Sequence, residues 1–169
     1  MEHKDPLATT ALPANEPTKA DGADTNENPP VSSDEGTAKK YLILVVDDSA
    51  DNVAMLSLDL QHEGYRVVTA TDGEEAISVA CATLPNLILM DISMPRLDGL
   101  GATRRIRDKD ELRNVPVIAV TAYGTEGFQR AAYDVGVSGY LTKPLDFARM
   151  HLLIARLLEP GGSGKLVGL

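Results

Sequence analysis

Apolar residues in this chain fall in short closed runs that alternate with stretches of helical spacing. Tyr41–Val46 is apolar and β-branched, the composition of a strand, and it stops abruptly at Asp47-Asp48. Ser49-Ala50-Asp51-Asn52 then opens a helix, with Val53, Leu56 and Leu60 on one face as far as Gly64. Arg66–Ala70 reads as a second strand. Asp72 is placed to cap a helix over Gly73–Thr83, whose inner face is Ala76, Ile77, Val79 and Ala80. Leu87–Met90 is an unbroken apolar run of strand length, the pattern of a strand buried on both faces of a sheet, and it ends on Asp91. Met94-Pro95 and Asp98-Gly99 mark a loop, and a helix follows near Leu100–Lys109. Val115–Val120 is a fourth strand that stops at Thr121. Glu126–Val135 reads as helix, with Gly136 just past its end. Ser138–Leu141 is the fifth strand, closed by Thr142-Lys143-Pro144, and Asp146–Leu158 is a last helix, stopped by Pro160–Gly164.

Five strand–helix repeats joined by short links predict a parallel sheet with helices on both faces, an α/β doubly wound five-stranded fold with right-handed crossovers. A chain of 169 residues suits one such domain with some extra length, and 43% apolar but only 4% aromatic residues predict an aliphatic core. Residues 1–40 carry almost no large apolar side chain and read as a disordered acidic tail, 41–158 as the folded domain, and 159–169 as a flexible C-terminal tail. The acids of Asp21–Glu27 lack the spacing of a calcium-binding loop.

A net charge of −9 argues against a nucleic-acid or anionic-membrane partner. The single cysteine, Cys81, excludes an internal disulfide framework, and with no signal peptide or membrane-length apolar run the chain is expected to be cytoplasmic. Cys81 itself reads as a core residue among apolar neighbours. His62 and His151 read as neither phosphoacceptor nor metal ligand, and Arg104, Arg105, Arg107 and Lys109 as a solvated helix face.

The strand ends carry the chemistry. In a parallel sheet all carboxyl ends open on one side, where such folds bind their ligands. Asp47 and Asp48 follow the first strand, Asp91 the third, Thr121 the fourth and Lys143 the fifth. Each alone has an ordinary explanation as a turn or surface residue; together they predict one cleft holding three carboxylates, a hydroxyl and an ammonium. Clustered carboxylates repel one another unless one is protonated or a cation sits among them. An all-oxygen donor set suits Mg²⁺. A carboxylate beside Mg²⁺, a Lys and a hydroxyl is fitted to accept a phosphoryl group as an acyl phosphate. By position the acceptor is Asp91, on the central strand, leaving Asp47 and Asp48 to hold the metal.

The set V-V-D-D-S-A-D-N, L-I-L-M-D-I-S-M-P-R-L-D-G, V-I-A-V-T-A and G-Y-L-T-K-P, in this order and spacing, resembles the receiver domain of two-component response regulators over about Tyr41–Leu158. The resemblance implies a flavodoxin-like (βα)5 fold with the strand order 2-1-3-4-5 of the family's chemotaxis members. It implies that Asp91 is phosphorylated by a sensor histidine kinase or a histidine phosphotransfer protein. It further implies that Asp48, Asp91 and the backbone carbonyl of Ser93 ligate Mg²⁺, with Asp47 assisting directly or through water, and that Lys143 pairs with the phosphoryl group. Thr121 would swing toward that group and open space for Tyr140 to turn inward, remodelling the surface of the fourth helix, fifth strand and fifth helix. Tyr140 also has a plain reading as half-buried strand packing. Pro144 would follow a cis bond. Ser93 and Tyr123 occupy places where the family varies and where the lifetime of the acyl phosphate is tuned; Tyr123 is expected to hinder water.

On this reading the chain is a stand-alone signalling switch, not an enzyme with a separate substrate, and it acts through a downstream protein partner that the sequence does not name. Whether it is a terminal output, a relay intermediate or a phosphate sink, and whether phosphorylation drives homodimerisation, stays open. A phosphohydrolase of the haloacid-dehalogenase type is the alternative from another class. Such enzymes place a second Asp two residues after the nucleophile, where this chain has Ser93.

Overall fold

The computed structural model describes residues 41–159. The expected tails over 1–40 and 159–169 lie outside the described residues, except for Glu159. Ten elements alternate along the chain: β1 (Leu42–Val46), α1 (Ala50–His62), β2 (Arg66–Ala70), α2 (Gly73–Thr83), β3 (Leu87–Asp91), α3 (Gly99–Arg107), β4 (Val117–Thr121), α4 (Glu126–Asp134), β5 (Gly139–Thr142) and α5 (Phe147–Leu158). All pairings are parallel and the order is β2-β1-β3-β4-β5. This is the predicted doubly wound α/β fold with the flavodoxin-like order.

Because side chains alternate across a strand, the sheet feeds two cores. Ile43, Val45, Leu87, Leu89, Ile118 and Leu141 point to one face and meet Leu56 and Leu60 of α1 and Met150 and Ile154 of α5. Leu44, Val46, Ile88, Met90, Val117, Ala119 and Tyr140 point to the other face, against Ala76 and Ala80 of α2, Ala102 and Ile106 of α3, and Ala132 of α4. The core is aliphatic, as the composition predicts.

The element ends differ from expectation by a residue or two, each for a physical reason. Ser49 and Asp146 are N-caps rather than helical residues, their side chains accepting from the backbone N–H groups of Asn52 and Arg149. The fourth strand starts at Val117 because Pro116 has no N–H to give the ladder, although its carbonyl accepts from the Ile88 N–H. The third strand runs one residue past its apolar run because Asp91 still pairs with Val120.

Two readings of side chains are corrected. Cys81 is exposed, because the buried positions of α2 are Gly73, Ala76 and Ala80 and the next residue turns away from the sheet. Arg107 is not part of a solvated face: its guanidinium donates to the carbonyls of Gly136 at 3.1 and 2.8 Å and of Leu112 at 3.2 Å. Burial lowers its pKa from the ordinary arginine value. Arg107 thereby ties the end of α3 to the turn after α4, where Gly136 has φ +98°.

Candidate functional site

The sheet register assembles the cleft. Val46 pairs with Met90, so one rung further Asp47 stands beside Asp91 on the neighbouring strand. Asp91 pairs with Val120 and Thr121 with Thr142, which brings Thr121 and Lys143 to the same edge. The carboxylates of Asp47, Asp48 and Asp91 offer oxygens that lie within 4.8 Å of one another, with Asp47 and Asp91 buried and Asp48 exposed. Lys143 reaches between the two buried acids, its Nζ donating to Asp47 Oδ2 at 2.8 Å and to Asp91 Oδ2 at 2.7 Å. The Lys143–Pro144 peptide bond is cis, as the resemblance implies.

Burial pushes the Asp91 carboxyl above the usual aspartate range; Lys143 and the Ser93 N–H pull it back, and Asp47 adds a smaller upward push. For Lys143 burial acts downward, but its hydrogen bonds to Asp47 and Asp91 outweigh it and hold the ammonium above the ordinary lysine value. Three carboxylates against one ammonium leave an excess of negative charge in an all-oxygen site, which fits a hard divalent cation such as Mg²⁺.

Each acid is aimed by its neighbours. Ser93 N–H donates to Asp91 Oδ1 at 2.9 Å. Ser49 N–H donates to Asp47 Oδ1 at 2.9 Å, and Asn52 Nδ2 spans both Asp47 oxygens at 3.1 Å each. With Lys143 also bonded to it, Asp47 has most of its acceptor capacity in use, whereas Asp48 is open to solvent.

Asn52 is the functional neighbour that sequence reasoning missed. It reads as part of a helix opening, and the signal that would have found it is its place in the first turn of α1, five residues after Asp47, a spacing that folds its amide back over the strand end.

Thr121 is 1% exposed, and its Oγ1 accepts from the Tyr123 N–H at 3.1 Å. Tyr140 is 7% exposed, and its hydroxyl donates to the Tyr123 carbonyl at 2.5 Å and lies beside Thr121. Tyr140 is therefore buried rather than half-buried, and its ring is already inward. Tyr123 is 50% exposed and stacks on Phe128 of α4 with ring centroids 4.8 Å apart, so its ring lies at the surface while its backbone bonds Thr121 and Tyr140. His151 has a partner that sequence could not show, Asp59 of α1, with Nε2 2.6 Å from Oδ2. Among the described residues no helix is long and apolar enough to cross a membrane.

Comparison with known proteins points one way. The family model of the response regulator receiver domain matches residues 43–155. The response regulator PleD of Caulobacter vibrioides is 38% identical over 136 residues, which cover 75% of this chain but only 30% of PleD. The polar-differentiation response regulator DivK of Brucella anthropi is 36% identical over 107 residues, covering 63% of this chain and 87% of DivK. Among solved structures, the receiver domain of a Pseudomonas aeruginosa PAO1 sensor histidine kinase is 36% identical with a TM-score of 0.66. It covers 70% of this chain and 97% of its own, and was solved with a magnesium ion coordinated in the active site cleft.

Proposed function

The chain belongs to the response regulator receiver domain family, and from that premise we propose that it is a phosphorylation-driven switch that accepts a phosphoryl group on Asp91. The observation that carries this reading is the Lys143 ammonium held 2.8 and 2.7 Å from Asp47 and Asp91 in a cluster of three carboxylates. In the transfer, a carboxylate oxygen of Asp91 forms a bond to phosphorus as the phosphorus–nitrogen bond of a donor phosphohistidine breaks, and the released imidazole nitrogen takes up a proton. The nucleophile must be ionised, so the raised pKa of Asp91 makes acceptor activity fail at higher pH than an ordinary aspartate would as the solution is acidified. Lys143 stays charged and is placed to follow the phosphoryl oxygens once Asp91 is modified.

Asp48 and Asp91, with the Ser93 carbonyl, would hold Mg²⁺, and the saturation of Asp47 by Ser49, Asn52 and Lys143 favours its acting through water. Bound Mg²⁺ supplies neutralisation of charge on the transferring group. Thr121, Tyr123 and Tyr140 form a bonded set at the root of α4, through which the state of Asp91 would reach the α4–β5–α5 surface. The donor is a sensor histidine kinase or a histidine phosphotransfer protein, the output a protein partner, and the setting the cytoplasm. The switch promotes only its own phosphorylation and dephosphorylation.

The test is transfer from a set of kinases and phosphotransfer proteins carrying labelled phosphohistidine, with Mg²⁺ or with a chelator. Label moving to the wild-type chain only with Mg²⁺, and never to Asp91→Asn, is the expected result. Label that stays on every donor, or that reaches Asp91→Asn equally, overturns the reading.

A further inference from the structure

A second ion pair stands at the same edge of the sheet, apart from the acid cluster. Asp72 is 5% exposed and caps α2, its Oδ1 accepting from the N–H groups of Glu74 at 2.8 Å and Glu75 at 2.9 Å. Its other oxygen, Oδ2, accepts from the guanidinium of Arg96. Arg96 lies in the loop between β3 and α3 and has φ +70°. That left-handed conformation is unfavourable for a residue with a side chain, so contacts outside the loop must hold it.

The neighbouring residue is also held. A Cβ on Gly73 would lie 2.5 Å from the Leu97 carbonyl oxygen and 2.9 Å from Leu97 Cγ, and one on Gly101 would lie 2.8 Å from Leu97 Cδ1. Leu97 thus occupies space that two glycines, one on α2 and one on α3, leave free. At the far end of the loop a Cβ on Gly99 would lie 2.1 Å from the carbonyl oxygen of Asp91 itself. The loop is therefore pinned at Arg96 and Leu97 to α2 and at Gly99 to the end of β3. Ser93 lies in the stretch between the end of β3 and Arg96, and its N–H aims Asp91 Oδ1.

We propose that Arg96 is a positioning residue for phosphoryl acceptance. Its pair with Asp72 locks the loop so that the Ser93 backbone holds the Asp91 carboxylate with one oxygen on the loop and the other on Lys143. Arg96 touches neither the acids nor the metal site and acts through Ser93. The proposal rests on the reading of Asp91 as the acceptor and of Ser93 as a contributor to the Mg²⁺ site.

The test uses the full chain with Arg96→Ala, Arg96→Lys, Asp72→Asn, and Arg96→Ala combined with Asp72→Asn. Asn caps a helix as well as Asp does, so Asp72→Asn keeps the α2 cap and removes only the charge that faces Arg96. Mg²⁺ binding is followed by calorimetry, thermal stability in parallel, and the Ser93 amide by ¹⁵N–¹H resonance without metal. Arg96→Ala and Asp72→Asn are each expected to weaken Mg²⁺ binding about three- to fivefold, the scale of an ion pair whose cation lies in solvent. The double variant should be no weaker than either single one, Arg96→Lys should recover part of the loss, and the Ser93 amide should shift in both single variants. An unmoved Ser93 amide with unchanged Mg²⁺ affinity, even with a lower melting temperature, overturns the proposal and leaves the pair a structural contact. Failure of the wild-type chain itself to bind Mg²⁺ would instead bring down the reading of the site, and the metal-free Ser93 resonance would still decide the clamp.

Discussion

Helices α3 and α4 are both nine residues long, both follow a strand that ends in the cleft, and both lie on the same face of the sheet. α3 buries Gly99, Ala102, Thr103 and Ile106, and the Asp98 side chain caps it by accepting from the Gly101 N–H at 2.6 Å. α4 buries Ala132 alone, and its N-cap, Thr125, makes no side-chain cap hydrogen bond. α4 is held chiefly at its far end, where the Arg107 guanidinium grips the Gly136 carbonyl. Its near end meets the cleft through the Tyr123–Phe128 stack and the Tyr140–Tyr123 hydrogen bond. The helix beside Asp91 is capped and buried along one face, whereas the helix beside Thr121 lacks a side-chain cap and is tied at its near end through Tyr123. On the proposed reading, a site that holds geometry for phosphoryl transfer and passes a change to a surface needs both.

The same kind of substitution should separate the two helices, with the largest effect at Gly99. Its absent Cβ would fall 2.1 Å from the Asp91 backbone, so Gly99→Ala must displace the strand end and is expected to cost about 3 kcal/mol or more in denaturant unfolding. Removing the caps comes next. Asp98→Ala should cost about 1 kcal/mol, whereas Thr125→Ala should change stability by less than about 0.5 kcal/mol. Equal losses would show that α4 is capped as firmly as α3. A glycine in α4 should then behave in the opposite sense to Gly99. A Cβ on Gly127 meets nothing within 4 Å, so Gly127→Ala should stabilise the chain by up to about 1 kcal/mol.

The smallest effect is spectroscopic. Burial raises the pKa of the Tyr140 hydroxyl above the ordinary tyrosine value, a neighbouring Thr121 hydrogen bond pulls it down, and Tyr133 adds a lesser upward push. The neutral form is the favoured one, so Tyr140 should ionise at a pH above 10 in an ultraviolet-monitored alkaline titration. The difference between wild type and Tyr140→Phe isolates it. A difference that titrates like free tyrosine would place the ring outside.

Most of this was legible in the pattern of apolar runs. Buried strands of a parallel sheet are continuous apolar segments, and the polar residues that end them gather at one edge, so the meeting of Asp47, Asp48, Asp91, Thr121 and Lys143 could be read directly. What escaped depends on contacts between distant segments. Arg107 looks like any cation on a charged helix because its partners are backbone carbonyls of Gly136 and Leu112. Asp59 and His151 meet only when α1 and α5 pack side by side. Cys81 has apolar neighbours in sequence, but the inner face of α2 is narrow, so that one position of helical rotation carries it to solvent. Asn52 was visible as a letter in the motif, yet its role follows from the direction in which α1 leaves the strand. The strength of the α3 side rests on glycines whose value is a clearance, which no periodicity reveals.

The most direct measurement is incubation of the full chain with acetyl phosphate and Mg²⁺, read by intact mass beside Asp91→Asn and beside a sample with chelator. The account predicts a gain of one phosphoryl group on the wild type, lost in Asp91→Asn and lost without Mg²⁺. A phosphoryl group gained equally by Asp91→Asn, or no gain on the wild type from acetyl phosphate and from phosphohistidine donors alike, would contradict it.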